Sequence, residues 1–181
     1  MTWIITSTGK RFDLLEPKAA MVDLVDIGHA LAQLCRFTGH TSTHYSVAQH
    51  SYIVAELVPH EHRLQALLHD ATEAYVGDLA GPLKKMLPAY SEIEHNVWLA
   101  ICEHFHIDPE LPPCVKQADL VALATERRDL MRHHADQWEC LQGIEPAPKH
   151  ILVWSAAEAR RNFHYALMEQ LSTTHRRAHA P

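Results

Sequence analysis

Four side chains able to bind a metal ion lie in otherwise apolar stretches of this sequence. They are His50, His69, Asp70 and Asp119. Two imidazoles and two carboxylates form a mixed nitrogen and oxygen ligand set, which suits one divalent transition metal such as Mn, Co, Fe, Ni or Zn. The two carboxylates also neutralise a doubly charged cation, so that its burial becomes tolerable. We therefore predict a single metal site built from these residues.

The adjacent pair His69-Asp70 is the centre of this pattern. Apolar residues such as Leu64 and Leu67 recur around it at helical spacing, which predicts a buried helix over residues 60–75. Consecutive side chains leave a helix about 100° apart, so two adjacent polar groups seldom both serve packing. The pair therefore indicates a chemical role.

The helices that must position these residues follow from periodicity and capping. Helices are predicted at residues 26–37, 46–58, 60–75, 91–105, 115–134 and 155–171. Ser46 is placed to cap the second helix, and Ser155 with Glu158 forms a capping box. Two β-prone runs, 3–6 and 11–15, predict a hairpin. The expected fold class is all-α, a helical bundle with a short N-terminal β-hairpin, in which the four ligand candidates meet only in the interior.

Length and composition favour one domain. The 181 residues, 47% hydrophobic, can bury a substantial core and contain no linker. We predict a single domain over residues 1–181, with its core at about 26–130, a C-terminal helix at 155–171 and a frayed tail at 173–181.

Several classes of protein are disfavoured. No apolar run approaches about 18 residues and no leader is visible, so we expect a cytoplasmic protein without a membrane partner. A net charge of −6 argues against a nucleic-acid partner. The four cysteines are far apart and form no CxxC pair, so neither a zinc knuckle nor a disulfide framework is predicted.

The ordered set of His50, His69-Asp70 and Asp119 resembles the H...HD...D signature of the HD-domain phosphohydrolases. The likeness continues in the segments YSVAQHS (45–51), HDATEA (69–74), GDL (77–79), PLK (82–84) and KQAD (116–119). These segments are similar to the small bacterial and phage branch that includes 5'-deoxyribonucleotidases and deoxynucleoside-triphosphate phosphohydrolases. The resemblance spans about residues 26–130 and implies an HD-domain bundle.

The resemblance also implies roles for individual residues. The implied metal ligands are His50, His69, Asp70 and Asp119, and the implied site is mononuclear. Glu73 and Asp78 are expected to act around the phosphate and its attacking water. A carboxylate close to other anionic ligands should have a raised pKa, so either one is a credible proton carrier.

The spacing leaves other roles open for both carboxylates. Glu73 lies four residues after His69, on the same predicted helix face, where it would alternatively orient that histidine. Asp78 would alternatively cap the turn after Gly77.

Substrate contacts are predicted mainly in the loop between the first two long helices. Arg36-Phe37 matches a basic-aromatic pair that faces substrate in the resembled nucleotidases, so Arg36 would bind phosphate and Phe37 would pack on sugar or base. Arg36 would alternatively complement a helix dipole. His40 is a further contact or a loop-stabilising residue, and Lys84 is a second phosphate ligand or a solvated lysine.

Glu126 follows Asp119 by seven residues on the same predicted helix face. It either reads a substrate hydroxyl or pairs with an arginine, and we favour the pair.

Together these features predict a metal-dependent phosphohydrolase of (deoxy)ribonucleoside 5'-phosphates, acting on monophosphates to give nucleoside and phosphate. Its partner would be a small-molecule nucleotide, and the resemblance implies a homodimer. One alternative is removal of triphosphate or pyrophosphate from a dNTP at the same site. A second, outside the enzymes, is a non-catalytic nucleotide or metal sensor.

Overall fold

The computed structural model describes the backbone of residues 1–178 and the side chains of residues 1–173. The strands are β1 (Trp3–Ile5) and β2 (Arg11–Asp13). The helices are α1 (Leu24–Gln33), α2 (Val47–Glu56), α3 (Arg63–Leu68), α4 (Glu73–Val76), α5 (Gly81–Lys84), α6 (Pro88–Phe105), α7 (Pro113–Leu130) and α8 (Ala156–Ala178). The predicted all-α fold with an N-terminal hairpin is therefore confirmed.

The hairpin is fastened to the helices by its side chains. β1 and β2 pair antiparallel, with Ile4 opposite Phe12. The buried Phe12 ring stacks on Tyr75, with 3.8 Å between ring centroids. Asp26 on α1 accepts hydrogen bonds from the Ser7 hydroxyl and the Thr8 backbone amide at 2.6 and 2.7 Å. Burial raises the pKa of Asp26, but these donors outweigh it and hold the pKa below its usual range.

The core lies where α8 packs against α1, α2 and α3. α8 contributes Phe163 and Leu167 to this core, and both are fully buried. α8 begins at the predicted capping box, in which Glu158 N donates to Ser155 Oγ at 3.3 Å and Ser155 N donates to Glu158 Oε2 at 2.9 Å. The helix continues past the predicted end at Leu171 to Ala178, and residues 179–181 of the predicted tail lie outside the described residues.

The predicted helix over residues 60–75 is interrupted at its most polar point. α3 ends at Leu68 and α4 begins at Glu73, so His69 and Asp70 lie in the turn between them. The Ala66 carbonyl, which a continuous helix would give to the amide of Asp70, accepts a hydrogen bond from His69 Nδ1 at 2.7 Å. The His69 side chain thus competes with the backbone for this carbonyl at the point where the helix is interrupted.

The first long helix is also shorter than predicted. α1 ends at Gln33, because the chain turns extended and pairs with the start of α2: Arg36 N donates to Tyr45 O at 2.9 Å. Residues Arg36–Gly39 then form a separate 3-10 turn, in which Phe37 and Thr38 both have a φ of 54°. This left-handed conformation is strained for residues other than glycine.

The other helices agree more closely with the patterns. Ser46 caps α2 by accepting a hydrogen bond from Gln49 N, as predicted. α7 ends at Leu130 rather than near residue 134. All four cysteines are free, in agreement with the predicted absence of a disulfide framework. Among the described helices, none combines the length and apolar character needed to cross a bilayer.

Candidate metal centre

Three elements of the bundle bring the predicted ligands together. His50 lies on α2 and Asp119 on α7, while His69 lies in the turn after α3, and α2 packs against both α3 and α7. Each of these three residues offers one ligand atom, and the atoms all lie within 4.8 Å of one another. The group could hold a metal ion.

His50 is oriented by a carboxylate on its far nitrogen. Its Nδ1 lies 2.6 Å from Glu126 Oε1, and its Nε2 lies 3.2 Å from Asp119 Oδ1. In the neutral imidazole, donation of the Nδ1 proton to Glu126 leaves the Nε2 lone pair facing the cluster. That Nε2 atom is buried and has no hydrogen-bond partner.

His69 is oriented in the same sense by the backbone. Its Nδ1 donates to the Ala66 carbonyl, and its Nε2 is also buried without a hydrogen-bond partner. The rings of His69 and His50 lie 5.3 Å apart. Burial of two unpaired imidazole nitrogens is costly unless a group binds between them. The donor set therefore fits a borderline divalent cation.

Asp70 lies beside the cluster of His50, His69 and Asp119, although it is not a member of that cluster. Its Oδ2 lies 3.4 Å from His50 Nε2 and 3.3 Å from His69 Nε2. The same oxygen lies 3.5 Å from Arg36 Nη1. The predicted fourth ligand is thus adjacent to both histidines and also close to a buried cation.

Arg36 and Glu126 form the base of the site. Arg36 Nη2 donates to Glu126 Oε2 at 3.1 Å, and the Tyr45 hydroxyl donates to Glu126 Oε1 at 2.9 Å. Glu126 is fully buried. The favoured pairing of Glu126 with an arginine is confirmed, with Arg36 as the partner. Both guanidinium Nη atoms face carboxylates, so Arg36 is held between Glu126 and Asp70.

These charges move the pKa values of the cluster. Burial raises the pKa of Glu126, but Arg36 and His50 outweigh it and lower the pKa below its usual range. Burial and Arg36 lower the pKa of His50, yet Glu126 and Asp119 raise it to about 9. Burial likewise raises the pKa of Asp119, but its contact with His50 holds the pKa well below its usual range. Contacts between opposite charges therefore favour the ionised forms of Glu126, His50 and Asp119.

The pKa values of the two predicted catalytic carboxyls, Glu73 and Asp78, are raised, whereas those of Glu126 and Asp119 are lowered. Burial and the charges of Asp70 and Asp78 raise the pKa of Glu73 to about 10, and its Oε2 is buried without a hydrogen-bond partner. Burial is also the main cause of the raised pKa of Asp78. Gly77, at φ 85° and ψ 157°, makes the turn between them in a conformation that only glycine adopts easily.

The other residues predicted to contact substrate, Lys84, Phe37 and His40, differ in their exposure and contacts. Lys84 is paired with Glu94 and lines a cavity of about 240 Å³ together with His69 and Asp70. Phe37 is half-buried, with the Arg36 Cζ 5.2 Å from its ring centroid. His40 is exposed at the end of the 3-10 turn and has no recorded side-chain contact with the cluster.

Two residues of the site carry no sequence signal strong enough to predict their roles. Tyr45 directly precedes the helix cap and looks like a core aromatic residue, yet its hydroxyl reaches Glu126. Glu94 lies in the long helix α6 outside every motif, yet it neutralises Lys84 at the cavity. The contact of Tyr45 is long-range and that of Glu94 joins α5 to α6, so both become visible only in the folded chain.

Comparison with known proteins identifies relatives that match most of the chain. No known family model matches the sequence. The chain is 36% identical to an uncharacterized protein of Rhodobacter capsulatus over 126 residues, 64% of each chain. It is 43% identical to the uncharacterized protein YfdR of Escherichia coli over 144 residues, which cover 80% of this chain and 81% of that protein. The chain therefore belongs to the same family as Escherichia coli YfdR.

Proposed function

We propose that this protein is a metal-dependent phosphohydrolase that converts (deoxy)ribonucleoside 5'-monophosphates to nucleoside and phosphate. One observation carries the proposal: the Nε2 atoms of His50 and His69 are buried without hydrogen-bond partners, next to the Asp119 and Asp70 carboxylates. The order of these residues in the chain, which resembles the HD-domain signature, supplies the reaction class.

The cofactor in this proposal is one divalent transition metal, Mn, Co, Fe, Ni or Zn. His50, His69 and Asp119 would hold it, with Asp70 as the fourth ligand because its Oδ2 lies within 3.4 Å of both imidazole Nε2 atoms. When bound, such an ion polarises a phosphoryl oxygen and lowers the pKa of a coordinated water.

The chain's own carboxyls would move the protons. Hydrolysis forms a bond from water oxygen to phosphorus, breaks the bond from phosphorus to the 5' oxygen, and delivers one proton to that leaving oxygen. Glu73 is suited to deliver it, because its buried position favours the protonated form. Asp78, also half-buried, would position the attacking water.

Phosphate recognition would depend on Lys84 more than on Arg36. Lys84 lines the cavity beside Asp70 with a side chain that is 37% exposed, and exchanging Glu94 for phosphate would keep its charge paired. Arg36 is already committed to Glu126 and Asp70. Its proposed role is to keep Glu126 ionised behind His50.

The experiment is a product analysis on protein stripped with EDTA and reloaded with Mn or Co. Deoxynucleoside mono-, di- and triphosphates are supplied in parallel, and phosphate, pyrophosphate, triphosphate and nucleoside are measured separately. Nucleoside and phosphate from the monophosphate are the expected products. Tripolyphosphate or pyrophosphate from the triphosphate would instead assign the site to dNTP hydrolysis.

Variants connect the activity to the site. Asp119→Asn should abolish turnover through loss of the metal, and Glu73→Gln should lower kcat by about 100-fold or more while the protein still binds metal. Glu92→Gln is the matched control, since Glu92 is exposed on α6. If no nucleotide yields product with either Mn or Co, the proposal is wrong.

A further inference from the structure

A second and larger cavity lies away from the proposed ligand atoms. It has a volume of about 680 Å³ and lies between the C-terminal half of α7 and the segment 131–146. Small-molecule sites commonly have volumes of about 300–1,000 Å³. Its polar and aromatic lining includes Arg127, Arg132, His133, His134, Trp138 and Glu145. None of these residues takes part in the proposed hydrolysis.

The charge of this cavity contrasts with that of the protein. The whole chain has a net charge of −6, yet Glu145 is the one carboxylate among the described lining residues, against three arginines. Arg132 and His133 are exposed, and within the described part of the chain neither makes an ion pair or a side-chain hydrogen bond. Unpaired donors in a concave surface attract anions.

The other arginines of the cavity are held in place by the protein itself. Arg128 Nε and Nη2 donate to the Asp129 carboxylate at 2.7 and 2.9 Å. Arg127 Nη2 donates to the Asp136 carbonyl at 2.5 Å. The Arg127 bond holds the 131–146 segment against α7, and Arg128 is committed to Asp129. Arg132 is left as the arginine able to meet a ligand.

Trp138 gives the cavity a flat aromatic wall. Its ring is half-buried, with the Arg127 Cζ 5.3 Å from the ring centroid. Its ring centroid also lies 6.1 Å from that of Phe37, the residue that follows Arg36. Apolar side chains of Met131 and Ile144 complete the wall. Such a wall can stack on a planar ligand group.

We propose that this cavity is a second binding site, distinct from the metal centre, for a small anion that carries an aromatic ring. The ring packs on Trp138, and the anionic group binds Arg132 with His133. A nucleoside monophosphate and an aromatic carboxylate share this chemistry, and the two are compared directly in the test. The site does not depend on the proposed hydrolysis, because none of its lining residues is a proposed metal ligand or proton carrier.

The test measures the binding of small-molecule probes to the full-length protein in EDTA, by tryptophan fluorescence and by calorimetry. The probes are AMP, benzoate, adenosine and inorganic phosphate. Saturable quenching by AMP or benzoate is expected. The probe that binds more tightly shows which of the two classes of aromatic anion the site prefers. Adenosine and phosphate, each offering half of the recognition, should bind at least about 10-fold more weakly.

Three variants locate the binding. Trp138→Phe should remove the quenching, and Arg132→Ala should weaken binding by about 10-fold, whereas Arg160→Ala, an exposed arginine on α8, should change neither. Asp119→Asn should bind as tightly as wild type, which separates this site from the metal centre. Absence of saturable binding by both anions, or binding unaffected by Arg132→Ala, would overturn the proposal.

Discussion

His50 Nδ1 lies 2.6 Å from Glu126 Oε1, and neither side chain is exposed to solvent. The contact joins α2 to α7 at the point where both helices face the candidate metal centre. Since a carboxylate on one imidazole nitrogen fixes the tautomer at the other, Glu126 determines that Nε2 of His50 is the free donor. The metal-binding capacity of His50 therefore depends on a residue that cannot itself reach the metal position.

Replacement of Glu126 should weaken metal binding. Glu126→Gln keeps the size of the side chain but removes the charge behind His50, and the affinity for Mn should fall about 10-fold or more. Calorimetric titration of the metal-free protein measures this. Circular dichroism shows whether the variant is folded, and Glu92→Gln serves as the exposed control. An unchanged Mn affinity in a folded Glu126→Gln protein would refute the positioning role.

Arg36 should matter for stability because it compensates a buried charge. Arg36→Gln leaves Glu126 without its cation, and loss of one partner of a buried pair costs about 3–5 kcal/mol. Urea denaturation gives the free energy of unfolding. The double variant with Glu126→Gln should lose less than the sum of the single variants, because neither charge is then left alone. Strict additivity would show that the two residues are not coupled.

Metal binding should stabilise the fold by mass action. At a free metal concentration of about 100 times Kd, the free energy of unfolding should rise by about 2.7 kcal/mol, seen as a higher Tm. His69→Ala should abolish most of this shift, since one of the three grouped ligand atoms is lost. His60→Ala removes an exposed histidine instead and should keep the shift. An equal Tm shift in both variants would place the binding elsewhere.

Asp26 should make stability depend on acid pH. Its pKa in the folded chain lies below the model-compound value of 3.8, so its ionised form stabilises the fold above that pH and the contribution is lost as the pH falls toward the folded-state pKa. Asp26→Asn should therefore cost about 2 kcal/mol near pH 7 and progressively less below about pH 4. Denaturation series at several pH values measure the difference. Asp136→Asn, at an 87% exposed side chain, is the control and should show little cost at any pH.

The long amphipathic segments could be predicted from the sequence, together with the convergence of His50, His69 and Asp119. The position of these polar residues in otherwise apolar segments is a local signal, and the three do meet in the fold, although only His50 is fully buried. The interruption at His69-Asp70 could not be predicted from periodicity, which does not show that the His69 side chain bonds to the Ala66 carbonyl there.

The orientation of Arg36 could not be predicted from local sequence patterns either. Its partner Glu126 lies 90 positions later in the chain, and no local spacing relates the two. A basic residue beside an aromatic one resembles a ligand contact in sequence whether it points outward or inward. Only the packing of α7 decides that Arg36 faces the core.

The bonds of Glu126 to His50 and Arg36 close chain loops of 76 and 90 positions. Contacts of such sequence separation form only when most of the backbone has already been ordered, because loop closure costs entropy before the contact is made. The ligand geometry is therefore a property of the complete topology rather than of any fragment. Metal release and global unfolding should follow one cooperative transition, and a truncated chain without α7 should have neither the bundle nor the centre.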